Sequence, residues 1–99
     1  MGRGLGLASL RVLQAIADGR QYGFDIIEAT GLASGTVYPA LTRHERDGYV
    51  RSFWEDARLA AKAGRPARRY YRLTPAGQHA LARTLAELDV PMRRVRANS

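Results

Sequence analysis

The sequence predicts an α+β fold that is mainly α: three helices, a two-stranded β-hairpin and a C-terminal helix. Three observations lead to it. Apolar residues recur at helical spacing through residues 7–47 and again through 81–88. Two short segments rich in aromatic and β-branched residues lie between those stretches. Glycines stand at the joints, where helices commonly stop.

The first helix reads from Leu7 to Ala17. Leu7, Leu10, Leu13 and Ile16 share one stripe with Val12 beside it, and Gly19 supplies the stop. Tyr22 to Thr30 reads as a second, short helix with Ile26 and Ile27 inward and Gly31 at its end. Leu32 to Gly35 is expected to be a turn in which Ser34 caps the third helix. That helix runs to about Asp47, with Val37, Ala40, Leu41 and His44 on one stripe and Gly48 beyond it. Pro39 lies early enough in it to be tolerated.

After Gly48 the texture changes. Tyr49–Trp54 and Arg68–Leu73 read as strands. Ala57–Pro66 between them is too long for a tight turn and is expected to form a basic, flexible tip. Thr74 then caps a last helix that opens with Pro75 at its first position. Leu81, Leu85 and Leu88 make its apolar stripe, and Pro91 is expected to end it, leaving Arg93, Arg94 and Arg96 as a basic tail. No internal repeat is visible.

Ninety-nine residues with 45% hydrophobic and 25% charged side chains suffice for one domain with a modest core. A core of that size is marginal alone, so a partner subunit covering further apolar surface would suit it. Sixteen basic against nine acidic residues give a formal charge of +7. That balance calls for a polyanionic partner, either nucleic acid or an anionic membrane surface. Arginine supplies all but one of the cations. Its fork suits phosphate and guanine, although a GC-rich coding bias would give the same composition.

Several classes are excluded. Without cysteine there are no disulfides, thiol nucleophiles or Cys-ligated zinc. The start of the chain lacks the apolar region of a secretory signal, and no apolar run reaches bilayer length. A soluble, cytoplasmic protein with no membrane attachment is the expectation. His44 and His79 are isolated, with no nucleophile–base grouping, metal-spaced cluster or phosphate-cradling glycine loop. No catalytic, metal or cofactor site is expected.

Three helices, a basic hairpin and a further helix, in that order, spell a winged helix-turn-helix whose third helix enters the major groove of DNA. With Val37, Ala40 and Leu41 inward, Thr36, Tyr38, Pro39, Thr42, Arg43 and Arg46 face outward, and Ser34 heads the helix. Most of these are competent for phosphate or base-edge contacts. A merely solvated face is the plain alternative; the setting between a short turn and a basic hairpin argues against it. From Ala57 to Arg72 there are six basic residues and no acidic one. Lys62, Arg65, Arg68 and Arg69 are the wing residues expected to track phosphates or enter the minor groove. Strand alternation puts only one of Arg68 and Arg69 on a given face. Phe53, Trp54, Tyr70 and Tyr71 invite a rival reading as a stacking platform for RNA; packing within the hairpin and core is the expectation for them.

Four stretches carry a resemblance to a known family. Tyr22-Gly-Phe-Asp-Ile-Ile, Ser34-Gly-Thr-Val-Tyr-Pro-Ala-Leu, Glu45-Arg-Asp-Gly-Tyr-Val and Arg68-Arg-Tyr-Tyr-Arg-Leu-Thr-Pro-Ala-Gly resemble the PadR family of bacterial transcriptional regulators over about residues 7–82. The resemblance implies a homodimeric repressor on a palindromic operator in double-stranded DNA, with Thr36, Tyr38 and Pro39 facing that DNA. It also implies a dimer built by the first and last helices, here through Leu7, Leu10, Leu13, Leu81, Leu85 and Leu88. Residues 5–75 would then be the DNA-binding domain, and 76–99 the dimerisation helix with its basic tail. A small hydrophobic effector, of unknown identity, is implied by analogy. This sequence departs from the family in placing His44 where an apolar residue is usual, where it would titrate near pH 6–7 or simply mark the core boundary. Its wing is also longer, and its short C-terminal part resembles the compact subfamily.

Overall fold

In the computed structural model of the chain the described residues run from 5 to 98, with side chains described through residue 88. The elements follow as α1 (Leu7–Ala17), α2 (Gly23–Thr30), α3 (Ser34–Arg46), β1 (Val50–Trp54), α4 (Ala57–Lys62), β2 (Arg69–Leu73) and α5 (Pro75–Asn98). The basic tail expected of Arg93, Arg94 and Arg96 falls on side chains outside the described residues.

The other elements pack around α1, which touches α2, α3, β2 and α5. A helix contacted on several sides needs apolar residues beyond a single stripe, and Leu10, Val12, Leu13, Ala15 and Ile16 are all buried. Part of the expected dimer surface is already covered within the single chain. Leu10 and Leu13 are 4% and 0% exposed within the single chain, and Leu81 of α5 is 8% exposed. They form one core with Ile26, Val37, Ala40, Leu41 and Val50, because α5 lays its first turns back onto α1. Leu7 and Leu88 are the exposed members of the expected set, and Leu85 is partly buried against the core.

The turn between α2 and α3 is built from its own polar groups. Gly31 takes φ +73°, the left-handed region in which a residue without Cβ carries no steric penalty. Thr30 Oγ1 donates to the Ile26 carbonyl at 2.8 Å and accepts from the Leu32 N–H at 3.2 Å. Arg11 of α1 donates to the Thr30 carbonyl at 3.1 Å. Ser34, expected as the cap of α3, is instead its first residue. Ala33 takes the N-cap position without a side-chain hydrogen bond, and its carbonyl accepts from the Thr36 and Val37 N–H groups.

His44 joins α3 to α1. It is 2% exposed, and its Nε2 lies 2.9 Å from the Ser9 carbonyl oxygen. A carbonyl only accepts, so Nε2 carries the proton and donates. Burial lowers the proton affinity of the ring, opposed by the Ser9 bond and lowered further by neighbouring Arg43, so the folded protein holds His44 neutral.

β1 and β2 pair antiparallel from Val50↔Leu73 to Trp54↔Arg69, each strand one residue shorter than expected. The hairpin is tied to the loop before α2 by the Tyr71 N–H donating to the Gln21 carbonyl at 2.7 Å. Its connection is not a flexible tip. Asp56 accepts from the Arg58 N–H at 2.8 Å and so caps α4, whose Ala60 is only 2% exposed. An Ala-Arg-Leu-Ala-Ala run after a capping aspartate favours a helical turn where composition alone suggests a loop.

Thr74 caps α5, its Oγ1 accepting from the Gly77 N–H at 3.0 Å and donating to the Gly48 carbonyl at 2.6 Å. Its own N–H donates to the Tyr49 carbonyl at 3.0 Å. A Cβ at Gly77 would collide with that same Tyr49 carbonyl oxygen, which explains why a glycine stands there. The helix does not stop at Pro91 as expected but runs to Asn98, proline's fixed φ being compatible with a helix.

Gly77→Ala is expected to cost about 1–3 kcal/mol by overpacking against main chain that cannot swing away, read as a lower midpoint in urea melts. Stability is also expected to depend on His44 protonation. The ordinary histidine value is 6.5 and the folded value lies below it, so the contribution is complete above about pH 6.5 and declines as pH falls toward the folded value. The slope there is at most about 1.4 kcal/mol per pH unit. Melts of wild type and His44→Leu from pH 8 to pH 5 should diverge in slope, the variant being the flatter.

Candidate nucleic-acid interface

At about 100° per residue, the buried stripe of Val37, Ala40, Leu41 and His44 fixes where every other α3 side chain points. Gly35, Pro39, Thr42 and Arg46 lie directly opposite the core, all exposed. Ser34, at the head of the helix, is exposed beside them. Tyr38 and Glu45 lie on the flank toward the hairpin, and Thr36 and Arg43 on the flank toward α1. The contacts agree with that partition. Arg43 donates to Ser9 Oγ of α1 at 3.1 Å, while Glu45 meets Ser52 and Arg69 of the hairpin.

The outward residues therefore do not form one uniform row. Thr42 Oγ1 donates back to the Tyr38 carbonyl at 3.1 Å, which leaves its methyl and a lone pair outward. Arg46 reaches only its neighbour Asp47, at 3.4 Å, and both are largely exposed. A pair in that setting is worth little and is readily exchanged for a stronger anion. Gly35, part of the expected turn, sits in the outward row, and a Cβ there would meet nothing within 4 Å.

Between α3 and the hairpin lies an open cleft of about 290 Å³ lined by Tyr22, Gly23, Phe24, Tyr38, Arg68, Arg69 and Tyr71. It is narrow at its base because Gly23 packs directly on the Tyr38 ring, where any Cβ would clash. Arg68 lies over the Tyr22 ring at 4.0 Å, and Tyr22 leans on Tyr70 at 5.9 Å. Arg69 donates to Ser52 Oγ at 2.7 Å and lies 3.5 Å from the Glu45 carboxylate. Arg68 and Arg69 thus take separate environments, as strand alternation requires.

Arg65 is held differently from a free wing cation. Both of its terminal nitrogens donate to Glu55, at 2.6 and 2.8 Å. Glu55, with an 8% exposed side chain, also accepts from the Arg68 N–H at 3.1 Å and from Tyr70 Oη at 3.3 Å. The Arg65 hydrogen bonds, joined by those of Arg68 and Tyr70 and opposed by burial, hold the Glu55 carboxyl at about 2. Lys62 stands exposed at the end of α4. Arg51, which sequence reasoning missed, and Arg72, counted among the hairpin cations but not among the expected wing contacts, are exposed on the opposite face of the hairpin, Arg72 lying over the Phe53 ring at 5.3 Å. Pairing across a two-stranded ladder, rather than any local motif, sets them apart.

Phe53 and Trp54, expected to pack, are 42% and 64% exposed. The hairpin is short and only Val50, Leu73 and Tyr71 of it reach the core, so toward the tip Phe53 packs within the hairpin on Tyr70, at 5.7 Å, and Trp54 stays exposed. Tyr71 does pack, and burial raises its phenol above the ordinary value. Among the described residues no group of three His, Asp or Glu side chains gathers as a metal site would need. No described helix is long and apolar enough to cross a membrane.

Comparison with known proteins agrees with this geometry. A family model described as the transcriptional regulator PadR-like family matches residues 12–83. Among solved structures, a PadR family transcription regulator from hypervirulent Clostridium difficile R20291 superposes with a TM-score of 0.76 at 22% identity, covering 94% of this chain and 97% of that one. A PadR-like transcription factor from Bacteroides fragilis gives 0.74 at 24% identity, covering 95% and 91%. The Bordetella bronchiseptica regulator BpsR, whose DNA binding is regulated by 6-hydroxynicotinic acid, gives 0.67 at 20% identity, covering 92% and 64%. A search among curated proteins finds no match.

If Glu55 closes the base of the wing, Glu55→Gln should loosen residues 56–67 while leaving the core intact. Limited trypsin digestion is expected to cut within that arginine- and lysine-containing segment several-fold faster in the variant. Equal rates, with unchanged melting of the whole protein, would contradict the role given to this carboxylate.

Proposed function

Because the chain belongs to the PadR-like family of transcriptional regulators, and is therefore a DNA-binding regulator rather than an enzyme, we propose that it is a cytoplasmic homodimeric repressor of a palindromic operator. α3 lies in the major groove, and the hairpin follows the neighbouring phosphates. The single observation that carries this reading is the exposed row opposite the α3 core stripe, with a cationic hairpin alongside.

The row divides the work. Pro39, Thr42 and Arg46, with Gly35 allowing close approach, face the base edges, while Ser34 and Thr36 near the start of α3 suit phosphate. Tyr38 bridges from the row toward the cleft. Arg43, bonded to Ser9, is placed at the edge of the surface rather than its centre. On the hairpin, Arg68, Arg69 and Lys62 are the phosphate ligands, and Arg65 acts through the shape of the wing.

Dimerisation is supported by apolar surface that the single chain leaves uncovered. Leu7 and Leu88 are 70% and 58% exposed. A groove of about 490 Å³ runs between α1, β2 and α5, lined mainly by Ile16, Ala17, Leu73, Leu81, Ala82 and Leu85, with Arg72 and Gln78 also lining it. In this reading the terminal helix of a partner subunit covers that groove, with residues 5–75 on the DNA and α5 across the twofold axis. Any small hydrophobic effector would compete for the same groove.

The test is fluorescence anisotropy of labelled duplexes, one from upstream of the protein's own gene and one scrambled, at several salt concentrations. Binding to the first is expected to fall by orders of magnitude between about 50 and 200 mM salt. Arg46→Ala should lose about 1–3 kcal/mol on the specific duplex and little on the scrambled one. Equal, weak binding to both duplexes by wild type would remove the operator reading, and a monomer mass in sedimentation would remove the dimer.

A further inference from the structure

The hairpin carries an exposed indole that neither the fold nor the paired charges explain. Phe53 and Trp54 are consecutive in β1, so they point to opposite faces. Phe53 has company, its ring meeting Tyr70 at 5.7 Å edge-on with Arg72 over it at 5.3 Å. Trp54 is 64% exposed, and its recorded aromatic or cationic neighbour among the described residues is the Arg69 guanidinium at 5.6 Å.

The position of that indole is informative. Trp54 shares its face with Ser52 and stands across the ladder from Arg69. Ser52 and Arg69 are the two residues that meet Glu45 of α3. The indole therefore extends the hairpin face that is turned toward α3, two residues beyond its contact with that helix. A large aromatic surface held in water is unfavourable unless something covers it.

Charge selects the cover. The carboxylates nearest this face are engaged, Glu45 with Ser52 and Arg69, and Glu55 with Arg65. The Arg69 guanidinium is the cation beside the ring; its 3.5 Å pair with Glu45 is long and solvent-exposed, so it remains open to a stronger anion, while Arg68 lies on the other face over Tyr22. A second copy of a chain with formal charge +7 would bring like charge to that face, whereas a polyanion brings the opposite sign. Duplex DNA supplies both parts: phosphates for the guanidinium and apolar sugar and base edges for the indole.

We propose that Trp54 is a duplex-DNA contact, its indole laid against sugar and base edges beside the groove that α3 enters, with Arg69 held on the flanking phosphate. The proposal rests on the hairpin reaching the duplex as described above. It adds an aromatic contact to a wing otherwise read as purely electrostatic.

Trp54 is the single tryptophan of the chain, so its emission reports this one position. The full-length protein would be titrated with the unlabelled upstream duplex while emission and acrylamide quenching are followed. Anisotropy of the labelled duplex would be recorded in parallel. DNA is expected to quench the indole and shield it from acrylamide over the same concentration range in which anisotropy rises. Trp54→Ala is expected to weaken binding by about tenfold, from the apolar surface lost, with Trp54→Phe recovering most of it and both variants melting like wild type. A full anisotropy rise with unchanged emission and quenching, or a Trp54→Ala that binds as wild type, would overturn the proposal while leaving the operator reading intact. Shielding that grows with protein concentration in the absence of DNA would assign the indole to contacts between copies and overturn it too. No anisotropy change on any duplex would overturn both readings together.

Discussion

The main-chain carbonyl of Tyr49 is the point on which the arrangement of α3, the hairpin and α5 depends. It follows α3 and the Gly48 turn, and it accepts the Thr74 N–H at the far end of the hairpin. Gly77 of α5 lies against the same oxygen, closer than any side chain allows. Thr74 Oγ1 completes the joint by donating to Gly48 and accepting from Gly77. The end of α3, both strands of the hairpin and the start of α5 are thereby fixed to one another. A recognition helix and a wing address one duplex only if their separation is rigid, and α5 transmits the same frame to the region proposed for dimerisation.

Much of this was legible in the sequence because the deciding signals are local. The stripe Val37, Ala40, Leu41, His44 is buried as its spacing predicts, and from it the outward row of α3 follows by geometry alone. Gly31 and Gly48 sit in the left-handed region at the ends of α2 and α3, where a helix stop was expected. The hairpin strands were found to within a residue, since aromatic and β-branched runs between turn signals are also a short-range pattern.

What was not legible depends on partners distant in sequence or on main chain. Spacing shows that Leu10, Leu13 and Leu81 point inward, yet it is blind to whether the surface they meet belongs to the same chain or another. α4 is too short to be stable by propensity, and it exists because Asp56 caps it and Ala60 is buried. The Glu55–Arg65 pair closes across an intervening helix, outside any i to i+4 rule. Ser34 has the composition of a cap, but the chain enters α3 one residue earlier and leaves the role to the Ala33 backbone. Trp54 shows the converse: an apolar residue in a strand is a poor guide to burial where the sheet has only two strands and projects from the core.

The closed base of the wing has a consequence for how such a chain can change over generations. The ladder ends with the Glu55 N–H donating to the Arg68 carbonyl, and the Glu55 side chain then binds the Arg68 N–H and Arg65. Residues 56–67 form the connection beyond that seal. Such a segment can lengthen, shorten or be replaced by another short capped turn without shifting the register of the strands or the setting of α3. With the wing and α3 on DNA as proposed, the reach along the duplex can drift independently of the sequence read, with a single carboxylate as the condition for that independence.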